Sequence, residues 1–434
     1  MIELPPVLQL LETEIFSTTN IDDYISDIKG LIPELRNQAE WSAANHEYID
    51  DKPVPITTKF AVNPVSGINP FSDQGKCAEM RCRVKVAENF SRTIGLYSDV
   101  VYLPDPLTTW FVYDEVEEVE WSDTNIIKLM NEVNVLKTLS PLIHNGIIQF
   151  ISPVKSFCTP CYSQFENQMN EFSDQALDEF WENISIENNT NYLAIDTGKL
   201  HEPNLVLRHY FDPTLKNKRS KKKIARDIFS GVVTNEIHEH MLSMQEASVL
   251  NSTILSNSRA GLISLKKLEG NNDAGLNIAQ WESLRTTDLP SIKHLTPNQI
   301  IELRESASKA LPQFRELMYK NMIINNINLL IDNDIKCVEL TLELRAQALE
   351  IKSELDSINI TSEMNFHNTI GTSGLAIALY SSAIGNPIVG LTTLMATLGL
   401  IHTTMKKDNA DVEKLKNKPG YVLIKAQEIL NTHS

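Results

Sequence analysis

The chain has 434 residues, of which 42% are hydrophobic and 22% charged, a composition that excludes a disordered polymer and allows a sizeable core. This length suits two or three domains. The formal net charge of −17 at pH 7 argues against attraction to nucleic acid or anionic lipid over the whole surface, so such contacts would need a local basic patch.

The N-terminus has none of the features of a secreted protein. Residues 1–6 do not combine a basic segment with an apolar run, so we expect no signal peptide. The five cysteines are an odd number spread over a long chain. We therefore expect reduced thiols and a cytoplasmic location.

The first half of the chain predicts a mixed α/β layer. A helix is expected where Ile21, Ile25 and Ile28 recur at helical spacing after Asn20, which is a good N-cap residue. Residues 51–75 are rich in proline and glycine and predict an irregular connection. Strands are predicted at 81–86, 93–103, 146–152, 192–195 and 206–210, and helices at 125–140 and 164–181. Strands that alternate with helices favour an α/β arrangement.

From Ile224 onward the pattern becomes helical. Thr296 and Gln299 have the spacing of a capping box, so a helix should begin there. Pro312 should kink or interrupt that helix. A second long helix is predicted over 335–358, and its apolar stripe is too short for a convincing coiled coil, so packing within one chain is expected.

These elements predict an α+β, mainly α fold. We expect a mixed α/β domain that senses or binds a partner over residues 1–215, a basic linker over 216–223, and a helical bundle over 224–434. The bundle is predicted to contain a buried apolar helical hairpin at 370–401.

The hairpin is predicted from a segment without acidic residues, lysine or arginine between Glu363 and Lys406. A turn signal at Asn386 and Pro387 divides its core, Ile370 to Ile401, into halves of about 14–15 residues, shorter than the roughly 20 that a spanning helix needs. Small residues in both halves would allow close helix packing. The glycines and the turn proline that define it are Gly371, Gly374, Gly385, Pro387, Gly390 and Gly399.

Two interpretations of this hairpin are open. It is either the covered centre of the helical domain, or a hairpin that is stored in the protein and released into a membrane by a trigger. The second interpretation predicts conditional membrane contact, as in pore-forming toxins and cell-suicide or antiviral defence effectors. Permanent membrane association and an oligomer interface are further alternatives.

A basic run lies at the predicted linker. Its positive charges are Lys216, Lys218, Arg219, Lys221, Lys222 and Lys223. This run could bind phosphate groups of nucleic acid, a nucleotide or a lipid. It could equally be a solvated loop, or pair with the acidic run at 114–123. No aromatic residues are interleaved with the lysines, which disfavours single-strand binding.

The cysteines suggest a metal site. Cys158 and Cys161 have C-x-x-C spacing and Cys77 and Cys82 have C-x₄-C spacing, so four thiolates could hold zinc. The alternatives are a redox-active C-x-x-C pair and inert buried cysteines.

Polar residues also cluster between two predicted strands. Asp196, His201, Glu202, His209 and Asp212 could supply a metal site or a general base, although polar side chains exposed to solvent are the simpler explanation. His238 and His240 are two positions apart on a predicted helix, so they point in different directions and cannot share one metal ion.

Three functional hypotheses follow. The leading one is a non-enzymatic interaction or effector protein, whose activity would be membrane disruption if the hairpin can be released. The second is a metal-dependent hydrolase or nuclease that uses Asp196, His201, Glu202 and His209. The third is a scaffold subunit that binds a protein partner or itself. No serine elbow, phosphate loop or dinucleotide fingerprint is present in the sequence.

Overall fold

The computed structural model shows a mixed α/β protein that is mainly helical. It describes residues 4–17, 21–45, 48, 60–72, 79–113, 123–153, 157–188, 192–198, 200, 206–210, 220–271, 278–280, 290–322, 342–353 and 409–432.

The strands form two separate sheets. The larger sheet contains β1 (Ala61–Pro64), β2 (Val100–Pro104), β3 (Ile148–Ile151), β7 (Thr253–Ser256) and β8 (Ile278–Gln280). All of its neighbouring strands are parallel, in the order β3-β2-β1-β7-β8. The smaller sheet is antiparallel and contains β4 (Ser185–Asn188), β5 (Tyr192–Asp196) and β6 (Val206–Tyr210).

Helices connect and cover the sheets. In chain order they are α1 (Pro6–Glu14), α2 (Ile21–Asn45), α3 (Met80–Arg92), α4 (Ile94–Tyr97), α5 (Pro106–Thr108), α6 (Asp123–His144), α7 (Thr159–Trp181), α8 (Lys221–Leu250), α9 (Arg259–Asn271), α10 (Pro290–Lys293), α11 (Pro297–Ser306), α12 (Leu311–Met322), α13 (342–353), α14 (Asn409–Asn417) and α15 (Tyr421–Thr432). A 3₁₀ turn (Ser66–Ile68) follows β1, and a π-helical turn (Thr109–Tyr113) follows α5.

The parallel sheet is buried on both faces, which explains its continuous apolar strands. Val101 and Leu103 of β2 face the main core, together with residues from α1–α4, α6 and the C-terminal helices. The alternate residues Val100 and Tyr102 face the other side, where Leu250 of α8 covers them. The smaller sheet packs with α7 and α8 in a core of its own.

The strand order reverses at the central strand β1. The chain runs from β1 outward through β2 to β3, then crosses over and adds β7 and β8 on the other side of β1. Such a reversal leaves a crevice at the carboxyl ends of the strands beside the first one, which is the usual ligand position in doubly wound sheets.

Several predicted elements are confirmed. The predictions at 146–152, 192–195 and 206–210 correspond to β3, β5 and β6, and those at 125–140 and 164–181 to α6 and α7. The helix predicted from Ile224 is α8, which begins three residues earlier.

Two predicted strands are wrong wholly or in part. Residues 81–86 lie in α3, because the buried stripe is Arg83, Ala87 and Phe90 at helical spacing rather than the alternating apolar residues. Residues 93–103 contain the short helix α4 before β2 begins at Val100.

The central strand β1 lies within the stretch that was predicted to be irregular. Pro64 is the last residue of the strand and pairs with Leu255 of β7. The next residue, Val65, donates its backbone N–H to the Leu255 carbonyl of β7.

The capping box at α11 is confirmed. Thr296 Oγ1 accepts from the Gln299 backbone, and the Gln299 side chain accepts from the Thr296 N–H at 2.8 Å. The helix ends at Ser306, and Pro312 lies at the start of α12, so the predicted interruption is present.

The C-terminal helices pack on the same core as the first half of the chain. Arg304 of α11 donates to the Gly95 and Ser98 carbonyls at 2.5 and 2.6 Å, and Arg315 of α12 forms an ion pair with Asp99. Within the helix predicted at 335–358, residues 342–353 are helical, and Leu344 and Ile351 are buried.

The hairpin at 370–401 lies outside the described residues. The predicted division at 216–223 stays a prediction, and the parallel sheet takes strands from both sides of it.

Candidate functional site

A cavity of about 260 Å³ lies at the carboxyl edge of the parallel sheet. Its walls come from the ends of β1, β2 and β3, from α6, and from one face of α8. The cavity includes the carboxyl end of β1, the strand at which the strand order reverses, and ligands of doubly wound sheets bind at this edge. The volume is near the lower end of small-molecule sites, which suits a small ligand.

Asn63, in β1, connects that strand to α8. It is 1% exposed, and its Nδ2 donates to Glu246 Oε2 at 2.9 Å. Among the described residues, no hydrogen-bond partner is found for Asn63 Oδ1. An unsatisfied buried acceptor costs about 1–3 kcal/mol, which a ligand donor would recover.

Glu239 is the second carboxylate that α8 presents to the cavity. Its two oxygens accept hydrogen bonds from the Ser66 backbone N–H at 3.2 Å and from the Ser72 hydroxyl at 3.1 Å. Ser66 has a φ of 58°, in the left-handed region that side chains other than glycine rarely adopt. This strained residue lies directly after the central strand, where such strain is typical of functional sites.

The third carboxylate, Glu132 of α6, forms a buried ion pair with Arg83 of α3. Arg83 also donates to the Ser72 backbone carbonyl at 3.2 Å. Arg83 therefore compensates the charge of Glu132, while Glu239 and Glu246 of α8 are the other two carboxylates that line the cavity.

Aromatic and proline residues form the apolar part of the wall, and Asn69 and Ser243 add polar groups. Phe71 and Trp110 line the cavity together with proline residues from the ends of all three strands. The Phe71 ring packs against Phe150 of β3, with 6.2 Å between the ring centroids. Flat aromatic walls beside carboxylate acceptors are suited to a planar ligand that carries hydroxyl or amino groups.

His240 and Ser256 form a hydrogen-bonded pair near this site, but both are fully buried and neither lines the cavity. The distance between His240 Nε2 and Ser256 Oγ is 2.5 Å, and Nδ1 lies 2.5 Å from the Glu236 carbonyl. The pair connects α8 to the end of β7. The pair has the hydrogen bond of a catalytic serine with its histidine base. Because both side chains are fully buried and no substrate could reach them from the cavity, we assign the pair a structural role.

The sequence had singled out a polar cluster, of which only part is described. Asp196 accepts from the Gly198 N–H at 2.9 Å and pairs with Val206 in the sheet, whereas His209 pairs with Leu193. The two are three ladder positions apart, roughly 10 Å. The described members therefore do not converge, while His201, Glu202 and Asp212 lie outside the described residues.

The described part of the basic run is distant from the cavity. Lys221, Lys222 and Lys223 form the first turn of α8, and Lys223 precedes Glu239 by sixteen residues, about 24 Å along the helix. These lysines cannot guide a substrate into the cavity. Lys216, Lys218 and Arg219 lie outside the described residues.

The described cysteines do not assemble into a metal centre. Within the described part of the chain, no group of three or more histidine, cysteine or acidic side chains could hold a metal ion. Cys82 lies on α3, Cys158 and Cys161 lie at the start of α7, and all three are exposed. Cys77 lies outside the described residues, so the four-thiolate zinc site stays a prediction.

Sequence reasoning did not identify the cavity residues. Glu239 lies between His238 and His240 on α8, and of these three residues only Glu239 lines the cavity. The available signals were a short apolar run ending in Asn63-Pro64, and the spacing of Glu239, Ser243 and Glu246 along one helix face.

No helix in the described ranges is both long and apolar enough to cross a membrane. No protein-family model, curated protein or solved structure matches the chain.

Proposed function

We propose that the chain binds a small organic ligand in the cavity at the carboxyl edge of its parallel sheet. The observation that carries the proposal is the position of the cavity at the carboxyl edge of the parallel sheet, where it includes the end of β1, the strand at which the order reverses. The strained Ser66 and the unsatisfied Asn63 Oδ1 add independent support, because both are costly features next to this cavity.

The charges favour a ligand that donates hydrogen bonds. Glu239 and Glu246 can accept from hydroxyl or amino groups, and they would repel a phosphate. Phe71 and Trp110 offer apolar surfaces to a planar ring. A nucleoside combines a planar ring with ribose hydroxyls and is the first ligand to test.

Isothermal titration calorimetry with adenosine, and with adenosine monophosphate as the phosphate-bearing counterpart, tests the proposal. Adenosine should bind and the monophosphate should bind more weakly. Glu239→Gln should reduce adenosine affinity about 10- to 100-fold, because a hydrogen bond to a charged acceptor contributes about 1.5–3 kcal/mol.

The matched control is Asp227→Asn, which removes one negative charge from an exposed position of α8 outside the cavity. It should bind adenosine like the wild type. If the Glu239 variant and the wild type bound adenosine with equal affinity, adenosine would have to bind outside this cavity. Absence of binding by a panel of neutral and cationic ring compounds would refute the proposal.

The effector hypothesis remains a proposal about residues 370–401, held within a C-terminal helical bundle. In that hypothesis, ligand binding in the cavity would trigger the release of the hairpin into a membrane. Liposome leakage by the purified protein, with Gly390→Glu as control, tests it. The hydrolase and scaffold hypotheses gain no support from the described contacts.

A further inference from the structure

The first turn of α7 carries two exposed thiols. Cys158 is the N-cap residue, with an extended backbone (φ −71°, ψ 153°), and Cys161 lies three residues later inside the helix. Side chains three positions apart at the start of a helix lie on the same face, so the two thiols are neighbours on an accessible surface.

Disulfide closure is sterically available to this pair. Side chains three apart on a helix have Cβ atoms about 5–6 Å apart, and a disulfide needs about 3.5–4.5 Å. Cys158 can supply the small shift because its backbone lies outside the helix.

The surroundings favour attack by Cys158. Hydrogen bonding from Cys161 lowers the pKa of Cys158 and raises that of Cys161, which favours Cys158 as the attacking thiol and Cys161 as the resolving thiol. The N-terminus of a 23-residue helix also stabilises a thiolate. Tyr162, which is 51% exposed and packs edge-on against Phe157, offers an apolar contact beside the thiols.

We propose that Cys158 and Cys161 form a reversible dithiol–disulfide site that exchanges with small-molecule disulfides of the glutathione type. The Cys158 thiolate attacks one sulfur of oxidised glutathione, whose S–S bond breaks and releases one glutathione thiolate. Cys161 then loses its proton and attacks the Cys158 sulfur, and the second glutathione leaves. The two protein thiols are oxidised to one disulfide, oxidised glutathione is reduced to two glutathione molecules, and the two protons pass to the leaving thiolates.

The test oxidises the full chain with oxidised glutathione, then denatures it and alkylates it with iodoacetamide. The number of alkylated thiols should fall from five to three, with Cys158 and Cys161 joined in one peptide pair by mass spectrometry, and reduced glutathione should restore five. Cys161→Ser should instead retain glutathione on Cys158. A Cys158–Cys161 link that does not form in the wild type would overturn the proposal.

The rate of alkylation of the native protein provides a second readout. Cys158 should react faster than Cys82, which is also exposed and also lies in the first turn of its helix. The ratio should fall toward one as the pH rises, because both thiols become ionised. Equal rates at pH 7 would contradict the assignment of Cys158 as nucleophile.

Discussion

Asn63 and Glu246 are 183 residues apart in the chain, and the hydrogen bond between their side chains, 2.9 Å long and buried, connects the central strand to α8. The bond positions one carboxylate of the cavity. It also joins the first β-α-β unit to the helix that leads into β7. The site and the sheet therefore depend on the same contact.

Replacing Asn63 with leucine should destabilise the protein by about 1–3 kcal/mol, because Glu246 would lose a donor while it stays buried. The free energy of unfolding from urea titration measures this loss. Asn63→Leu and Glu246→Leu combined should cost less than the sum of the two single changes. Strict additivity would show that the contact contributes little.

The packing of Gly261 on His240 predicts a second effect. A Cβ atom on Gly261 would lie 2.2–2.3 Å from the His240 ring, which is fixed by Glu236 and Ser256. Gly261→Ala should therefore destabilise the protein by about 1–3 kcal/mol through overpacking.

The matched control lies on α8. A Cβ atom on Gly231 meets nothing within 4 Å, so Gly231→Ala should stabilise the protein by about 0.5–1 kcal/mol through helix propensity. Unfolding midpoints in urea compare the two variants. A loss of stability in the Gly231 variant, or none in the Gly261 variant, would contradict the described contacts.

The sequence predicted those elements that depend on interactions between residues close together in the chain. The capping box at Thr296 and the helical stripe of α6 need only their own neighbours, and both are confirmed. The predicted strand at 81–86 is instead part of α3. The prediction failed because the buried stripe of this helix includes Arg83, whose burial is tolerable only through its ion pair with Glu132 on another helix.

The candidate site could not be predicted for a related reason. Asn63, Ser66 and Glu239 are ordinary polar residues in the sequence, and they become a site only when the strand order places β1 next to β7 and under α8. Strand order arises from long-range packing, which periodicity does not encode. The polar cluster at Asp196 looked compact in sequence, yet the sheet register separates Asp196 from His209.

The helix cap at Thr296 allows a third prediction. Thr296→Ala should destabilise the protein by about 1 kcal/mol, since the Gln299 N–H loses its acceptor at the start of α11. Thr296→Ser keeps the hydroxyl and should be close to wild type. The comparison uses urea midpoints, and equal losses in both variants would assign the effect to the methyl group instead of the cap.

Buried tyrosines predict a loss of stability at alkaline pH. Burial, followed by the negative charge of Asp105, raises the pKa of Tyr48 above its ordinary value of 10, and burial alone does so for Tyr97. Above pH 10 the unfolded chain releases the tyrosine proton while the folded protein keeps it. The stabilisation from each tyrosine is thus complete below pH 10 and declines as the pH rises toward the folded pKa, by about 1.4 kcal/mol per pH unit.

Above pH 10, unfolding of the Tyr48→Phe variant should therefore release about one proton fewer, so its free energy of unfolding should fall less steeply with pH. Tyr97→Phe should have the same effect independently. At neutral pH the Tyr48 variant should lose about 1–3 kcal/mol, because the Tyr48 hydroxyl donates to buried Asp105 at 2.8 Å. Urea unfolding between pH 7 and 11 measures both effects. If the free energy of unfolding of the Tyr48 variant had the wild-type dependence on pH, the Tyr48 hydroxyl would already ionise near pH 10 in the folded protein. The buried network of Tyr48 with Asp105 and Thr108 would then have to be open to water.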